Sequence, residues 1–201
     1  MLSTTLISVL LAATFWASFR AEGMLLDRET IEKEARHPCA MYDTSCTRYA
    51  SAHVTGNYGV SGHFLFTSEA HQEDVRVRLK IEGLGSHNLA GQHYHYHVHV
   101  KPLDETHDCD STGGHLNPAK LPETTVCKPK KLETCQFGDL STKHGDLIGG
   151  TTPIEHSYLD SQLRFGPADI SMVGRSVVIH DPTMKRIACG NVVFGLDGLK
   201  N

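Results

Sequence analysis

Between Asp74 and Glu82 the chain reads DVRVRLKIE, in which Val75, Val77, Leu79 and Ile81 alternate with Arg76, Arg78 and Lys80. Successive side chains on a strand point to opposite faces, so this pattern predicts a half-buried strand with one core face and one wet face. Runs of similar texture recur: HVTGNYGVSGHFLFTSE from His53, QHYHYHVHV from Gln92, SYLDSQLRF from Ser157, GRSVVIHD from Gly174 and RIACGNVVFGL from Arg186. They are short, rich in β-branched residues, and divided by Gly, Asn and Asp turn signals. No helix-length amphipathic segment separates them. The one helical pattern, DRETIEKEAR at 27–36, is charged and predicts a short solvated helix outside the core. An all-β antiparallel sandwich or barrel follows.

Two features break this texture. From Lys101 to about Pro153 the chain holds a loop-rich insert of roughly fifty residues, carrying Cys109, His115, Cys127, Cys135 and Asp139. Loops of that length inside a compact domain tend to carry function. The second feature is QHYHYHVHV. On a strand, His93, His95, His97 and His99 form one column, with Tyr94, Tyr96, Val98 and Val100 on the other face. Two imidazoles at this spacing can share a metal ion; four in a row cannot. Single histidines in GGHLNP (His115) and GRSVVIHD (His180) complete a four-nitrogen set with the pair, which by ligand type suits copper, zinc or iron.

Composition narrows the partners. The chain has 201 residues, 39% hydrophobic and 21% charged, which fits one globular domain. A formal charge of −4, with CKPKK as the densest basic stretch, gives no attraction to nucleic acid. The apolar run Leu6–Phe15, followed by small residues, reads as a removable secretory signal over about residues 1–21. Residues 22–50 read as an N-terminal extension, and 51–201 as the β domain. The signal's run falls short of the about 20 apolar residues of a spanning helix, and no membrane anchor is evident. Six cysteines, Cys39, Cys46, Cys109, Cys127, Cys135 and Cys189, argue for disulfides in an exported chain, with fifteen connectivities open. Local spacing favours Cys39 with Cys46 and Cys127 with Cys135. That leaves Cys109 and Cys189 to close a long loop worth about 3–5 kcal/mol.

In order along the chain, YHVHV, CDSTGGHLNP, GDL, GRSVVIHD and RIACGNV resemble the signature segments of the copper/zinc superoxide dismutase family. The similarity runs from about residue 52 to 195. It implies a Greek-key β-sandwich or barrel of about eight strands. It makes His97, His99, His115 and His180 the ligands of one copper ion cycling between Cu2+ and Cu+, with the superoxide anion as substrate. Cys109 and Cys189 match the family disulfide, and Arg186 matches the arginine beside copper that receives the anion.

The departures are as informative. The family's zinc site needs two further histidines between HLNP and the GDL aspartate, and AKLPETTVCKPKKLETCQFG contains none. Gln136 stands where the last of them belongs, so no zinc is expected. His107 and His144 are the nearest substitutes in sequence. Only DPTMK separates His180 from Arg186, where relatives carry a long charged loop. Both losses resemble the family's secreted copper-only branch, and a monomer is compatible with them. His115 is then the proton carrier, and Asp139 the carboxylate expected to fix its ring. The alternative is a secreted copper-buffering protein of the same fold with little turnover.

Overall fold

The structure is a computed structural model that describes residue 33 and residues 39–85, 91–150 and 153–199. The segments read as a secretory signal and as a short helix lie outside the described residues, apart from Lys33.

The alternating segment forms β3 (Val75–Glu82), with its four aliphatic residues buried and its three basic residues half-buried. Around it lie β1 (Arg48–Gly56), β2 (Ser61–Ser68), β4 (His93–His99), β5 (Leu147–Ile148), β6 (Ile154–Asp160), β7 (Ser176–His180), β8 (Arg186–Asn191) and β9 (Val193–Phe194). All pairings are antiparallel, in the order β5-β4-β7-β8-β1-β2-β3-β6, with β9 alongside β1. Consecutive strands β3 and β4 stand far apart on this path, as do β6 and β7. β5 and β6 lie at its two ends, so the chain makes repeated crossings, as in a Greek key. One core fills the barrel, with Phe64 and Phe66 from β2, Tyr94, Tyr96 and Val98 from β4, and Val177 and Ile179 from β7. β1 opens at Arg48, a few residues inside the segment assigned from sequence to the extension. The runs at 157–165 and 53–69 are trimmed by turns, leaving β6 to end at Asp160 and a 3-10 turn at Asn57–Gly59 between β1 and β2.

The long insert is not free loop. It contains 3-10 turns at Cys109–Thr112 and Leu132–Thr134, a short helix α1 (Leu140–His144), and β5. Two of its segments run along the edge of β4. Leu116 N donates to Val98 O (2.8 Å), Val98 N to Gly138 O (2.9 Å), and Val100 N to Gly114 O (2.8 Å). The approach at Gly138 is so close that a Cβ there would lie 2.1 Å from Val98 O, which restricts the position to glycine.

A buried ionic knot fixes the far end of the insert. Lys143 Nζ lies 2.7 Å from Asp160 Oδ2 and donates to Phe137 O, while His144 Nε2 approaches the same carboxylate oxygen at 2.7 Å. Asp160 Oδ1 accepts from the backbone N–H groups of Gln162 and Leu163, so the carboxylate is fully satisfied. Disulfides join Cys39–Cys46, Cys109–Cys189 and Cys127–Cys135.

Candidate metal centre

β4 sends Tyr94, Tyr96 and Val98 into the core, so its histidines must face outward. The register opposes His97 to Val178 and His99 to Ser176, placing Ser176, Val178 and His180 of β7 on that same outer face. This face would meet water if the insert did not cover it. Under the insert, His97, His99 and His180 are only 3%, 1% and 4% exposed. Isolated bridges His97↔Asp139 and His99↔His115 bring His115 over the pair from the insert side.

The four imidazoles converge. One ring nitrogen from each of His97, His99, His115 and His180 lies within 4.8 Å of the others. The His99 and His180 Nε2 atoms are 3.2 Å apart, close to the spacing of two cis nitrogens each about 2 Å from one ion. For three of the four, the opposite ring nitrogen is already committed. His99 Nδ1 donates to Gly113 O (2.8 Å), His115 Nδ1 to Gln136 Oε1 (2.7 Å), and His180 Nδ1 to Met184 O (3.1 Å). Each of these bonds fixes a tautomer whose lone pair sits on Nε2. His97 is reversed: its Nε2 stands 3.3 Å from Ser141 Oγ, and its buried Nδ1 has no partner among the described residues. An orphaned buried acceptor is costly unless something binds it. The residues present therefore fit a single nitrogen-loving transition-metal ion.

Burial and mutual charge keep the rings neutral, as a metal requires. Desolvation pushes the His99 imidazolium pKa down to about 3, partly opposed by the bond to Gly113. The His97 value is driven far below the ordinary range, first by burial and then by the other three histidines, and burial also lowers those of His115 and His180.

Arg186 lies on the wall of an open cavity of about 350 Å³ that reaches His99, His115 and His180. Its Nη1 donates to Cys109 O (2.8 Å) and Thr112 Oγ1 (2.9 Å), and its Nη2 to Gly113 O (2.7 Å). The Cys109–Cys189 disulfide staples that loop to β8 beside the arginine. Residues 181–185 make a self-braced turn, in which Asp181 Oδ1 accepts from Thr183 N and Lys185 N and so presents Met184 O to His180.

Asp139 is not where the sequence reading puts it. His115 is held by Gln136, and Asp139 lies beside His97, 3.7 Å from Nε2, where it also caps α1 by accepting from Thr142 N. The backbone bonds that clamp Gly138 to β4 carry the next residue toward His97, which is why the carboxylate and His115 Nδ1 do not meet. Sequence reasoning also missed Thr112, which links His99 Nδ1 (3.2 Å) to Arg186, and Ser141; neither leaves a signal beyond lying in a matching segment. His93 and His95 stand apart from the cluster, both bonded through Nδ1 to Asp146 (3.1 and 2.9 Å). His107 is exposed on a turn, and His144 is tied to Asp160.

The sequence model of the family described as copper/zinc superoxide dismutase matches residues 60–192. The cell surface superoxide dismutase [Cu-Zn] 6 of Candida albicans is 32% identical over 139 residues, covering 68% of this chain and 42% of its own length. The cell surface Cu-only superoxide dismutase 5 of the same organism is 31% identical over 148 residues, covering 73% and 60%. The chain thus spans about half the length of the curated relatives it matches. A solved structure, Candida albicans superoxide dismutase 5 with Cu(II), superposes with a TM-score of 0.60 at 28% identity, over 73% of this chain and 92% of that one.

Proposed function

This chain belongs to the copper/zinc superoxide dismutase family, and we propose that it is a secreted enzyme that removes superoxide with one copper ion and no zinc. The carrying observation is the set of four converging imidazoles, three of them pre-set by a hydrogen bond on the opposite nitrogen. Copper held there would supply one-electron exchange, by which one superoxide is oxidised to O2 and a second reduced to hydrogen peroxide.

The chain's own residues supply charge and protons. Arg186 offers a permanent cation on the cavity wall, where it attracts and orients the anion. His115 is half-buried at that wall, with Nδ1 committed to Gln136. Its Nε2 is then the atom able to hold a proton and pass it to the product. Gln136 is the positioning residue, and it takes the nitrogen that a second metal would need. Asp139, offset toward His97, contributes negative charge that favours a proton on His115. Three disulfides suit an oxidising compartment, and two relatives are described as cell surface proteins. No helix among the described residues is long and apolar enough to cross a membrane.

Copper storage in the same fold is the competing reading. A guanidinium held by three close carbonyl and hydroxyl acceptors at the cavity wall favours turnover over storage. Protein loaded in excess copper and zinc decides the matter through metal analysis and a cyanide-sensitive superoxide assay. The proposal expects one copper per chain, negligible zinc and rapid removal. Near one zinc per chain refutes the copper-only reading, and inactivity at full copper occupancy refutes the enzyme.

A further inference from the structure

A second cavity, of about 420 Å³, shares no residue with the metal centre. Arg48, Arg164, Glu73, Tyr42, Thr44 and Phe165 line it. Its volume falls in the range of small-molecule sites.

Arg48 is only 6% exposed. Both of its hydrogen bonds leave from Nη2, to Ser68 Oγ and Gln72 O at 2.8 Å each. Nε is buried without a partner, and no ion pair to this arginine forms among the described residues. The guanidinium carbon lies 5.3 Å from the centre of the Phe165 ring. Burial works against its charge, and only the fields of Glu73 and Asp43 act in favour. A buried cation with spare donors and no internal ion pair among the described residues is costly to keep.

Arg164 repeats the arrangement on the same cavity. Its Nη1 donates to Ser161 O and Leu163 O (2.7 and 2.8 Å), and its Nε lies 3.7 Å from Glu73 Oε2, leaving Nη2 without a partner among the described residues. Glu73 is 79% exposed and is the nearest internal anion. Tyr42, 59% exposed, presses its ring on Gly166, where a Cβ would fall 2.4 Å from the ring edge. That contact stands an aromatic face at the cavity mouth.

We propose that this cavity binds a small organic oxyanion, a carboxylate or phosphate carried on a flat body. The anionic group lies between the spare donors of Arg48 and Arg164, and the body lies against Tyr42. Planar guanidinium groups with fixed orientation suit such oxyanions, and an aromatic wall suits a flat substituent. Glu73 then acts as an internal competitor that a ligand displaces from Arg164.

The test titrates the copper-loaded full chain with benzoate, phenyl phosphate and inorganic phosphate, following arginine Nε–H and Tyr42 ring signals by NMR. Saturable shifts with benzoate or phenyl phosphate are expected at about millimolar concentration or below, tighter than with inorganic phosphate. Arg164→Ala should weaken binding about tenfold or more, as loss of a charged hydrogen bond does. Glu73→Gln should tighten it, and being at an exposed position it keeps the test decisive if the arginine variant is poorly folded. Arg186→Ala should change nothing at this site, and Arg164→Ala should leave superoxide removal unchanged. Binding of inorganic phosphate alone, no saturable shift, or shifts that vanish with Arg186→Ala and survive Arg164→Ala would overturn the proposal.

Discussion

Replacing both Cys109 and Cys189 by Ala removes a crosslink spanning 80 residues, whereas Cys39–Cys46 spans 7. In the chain-entropy treatment the closed loop costs the unfolded state 2.1 plus 1.5R ln n cal/mol/K, giving about 4.5 kcal/mol for the long loop and about 2.4 for the short one at 25 °C. With about 2 kcal/mol per molar urea as the slope, the unfolding midpoint should fall by about 2 M for C109A/C189A and about 1 M for C39A/C46A. The long crosslink also holds the 3-10 turn that supplies Cys109 O and Thr112 Oγ1 to Arg186, followed by Gly113 O, which serves Arg186 and His99 together. Superoxide removal by folded C109A/C189A, assayed well below its midpoint, should therefore drop, while C39A/C46A keeps full activity. Urea titration monitored by circular dichroism, alongside rates per bound copper, gives both quantities. Equal midpoint shifts would refute the loop-length argument. Unchanged turnover in C109A/C189A would refute the claim that the disulfide positions the site.

Arg186→Ala should lower the superoxide rate about tenfold and flatten its salt dependence with copper content unchanged, because steering by an exposed field is screened over about 10 Å at 0.1 M salt; loss of copper by metal analysis would assign the residue a structural role. Gln136→Leu leaves His115 Nδ1 without an acceptor and should lower activity about 10- to 100-fold, with an altered Cu(II) EPR spectrum; an unchanged spectrum and rate would show that the ring needs no such hold. Burial alone would raise the Asp160 pKa, yet the hydrogen bond from His144 and the charge and hydrogen bond of Lys143 hold it below the usual carboxylate range. A depressed folded value contributes stability that is present above the unfolded pKa, about 3.9, and is lost as pH falls through the folded value. Asp160→Asn should accordingly cost about 3–5 kcal/mol at neutral pH and flatten the fall in stability below about pH 4 in urea titrations; a parallel acid limb would refute the role.

What could be read in the sequence was whatever depends on near neighbours. The alternation in β3 follows from local pleating, and the five signature segments carry their histidines with them. The state of β4's histidine column was harder to read. Its outer face looks solvent-facing from period alone, and His93 and His95 do lie out there with Asp146. His97 and His99 share that face and are nonetheless among the most buried residues, because segments 16 and 42 residues further along the chain pair with the strand edge above them. Nothing in HVH itself encodes that cover.

The exchange of Asp139 for Gln136 has the same origin. An aspartate in GDL is the natural carboxylate to place on His115, and it stands only three positions after Gln136. Yet the close approach of Gly138 to Val98 O leaves no freedom in the backbone between them. One side chain is delivered to each end of the histidine cluster: Gln136 to His115 Nδ1, and Asp139 toward His97 Nε2 and the first turn of α1. A neutral amide on His115 accepts one hydrogen bond and brings no charge. Burial works most strongly against a proton on that ring, while the bond to Gln136, and after it the through-space pull of Asp139, favour one against the opposing field of Arg186. The same backbone clamp that buries the histidine cluster therefore sets how readily His115 takes and releases a proton, which ties the proposed chemistry to the glycine at 138.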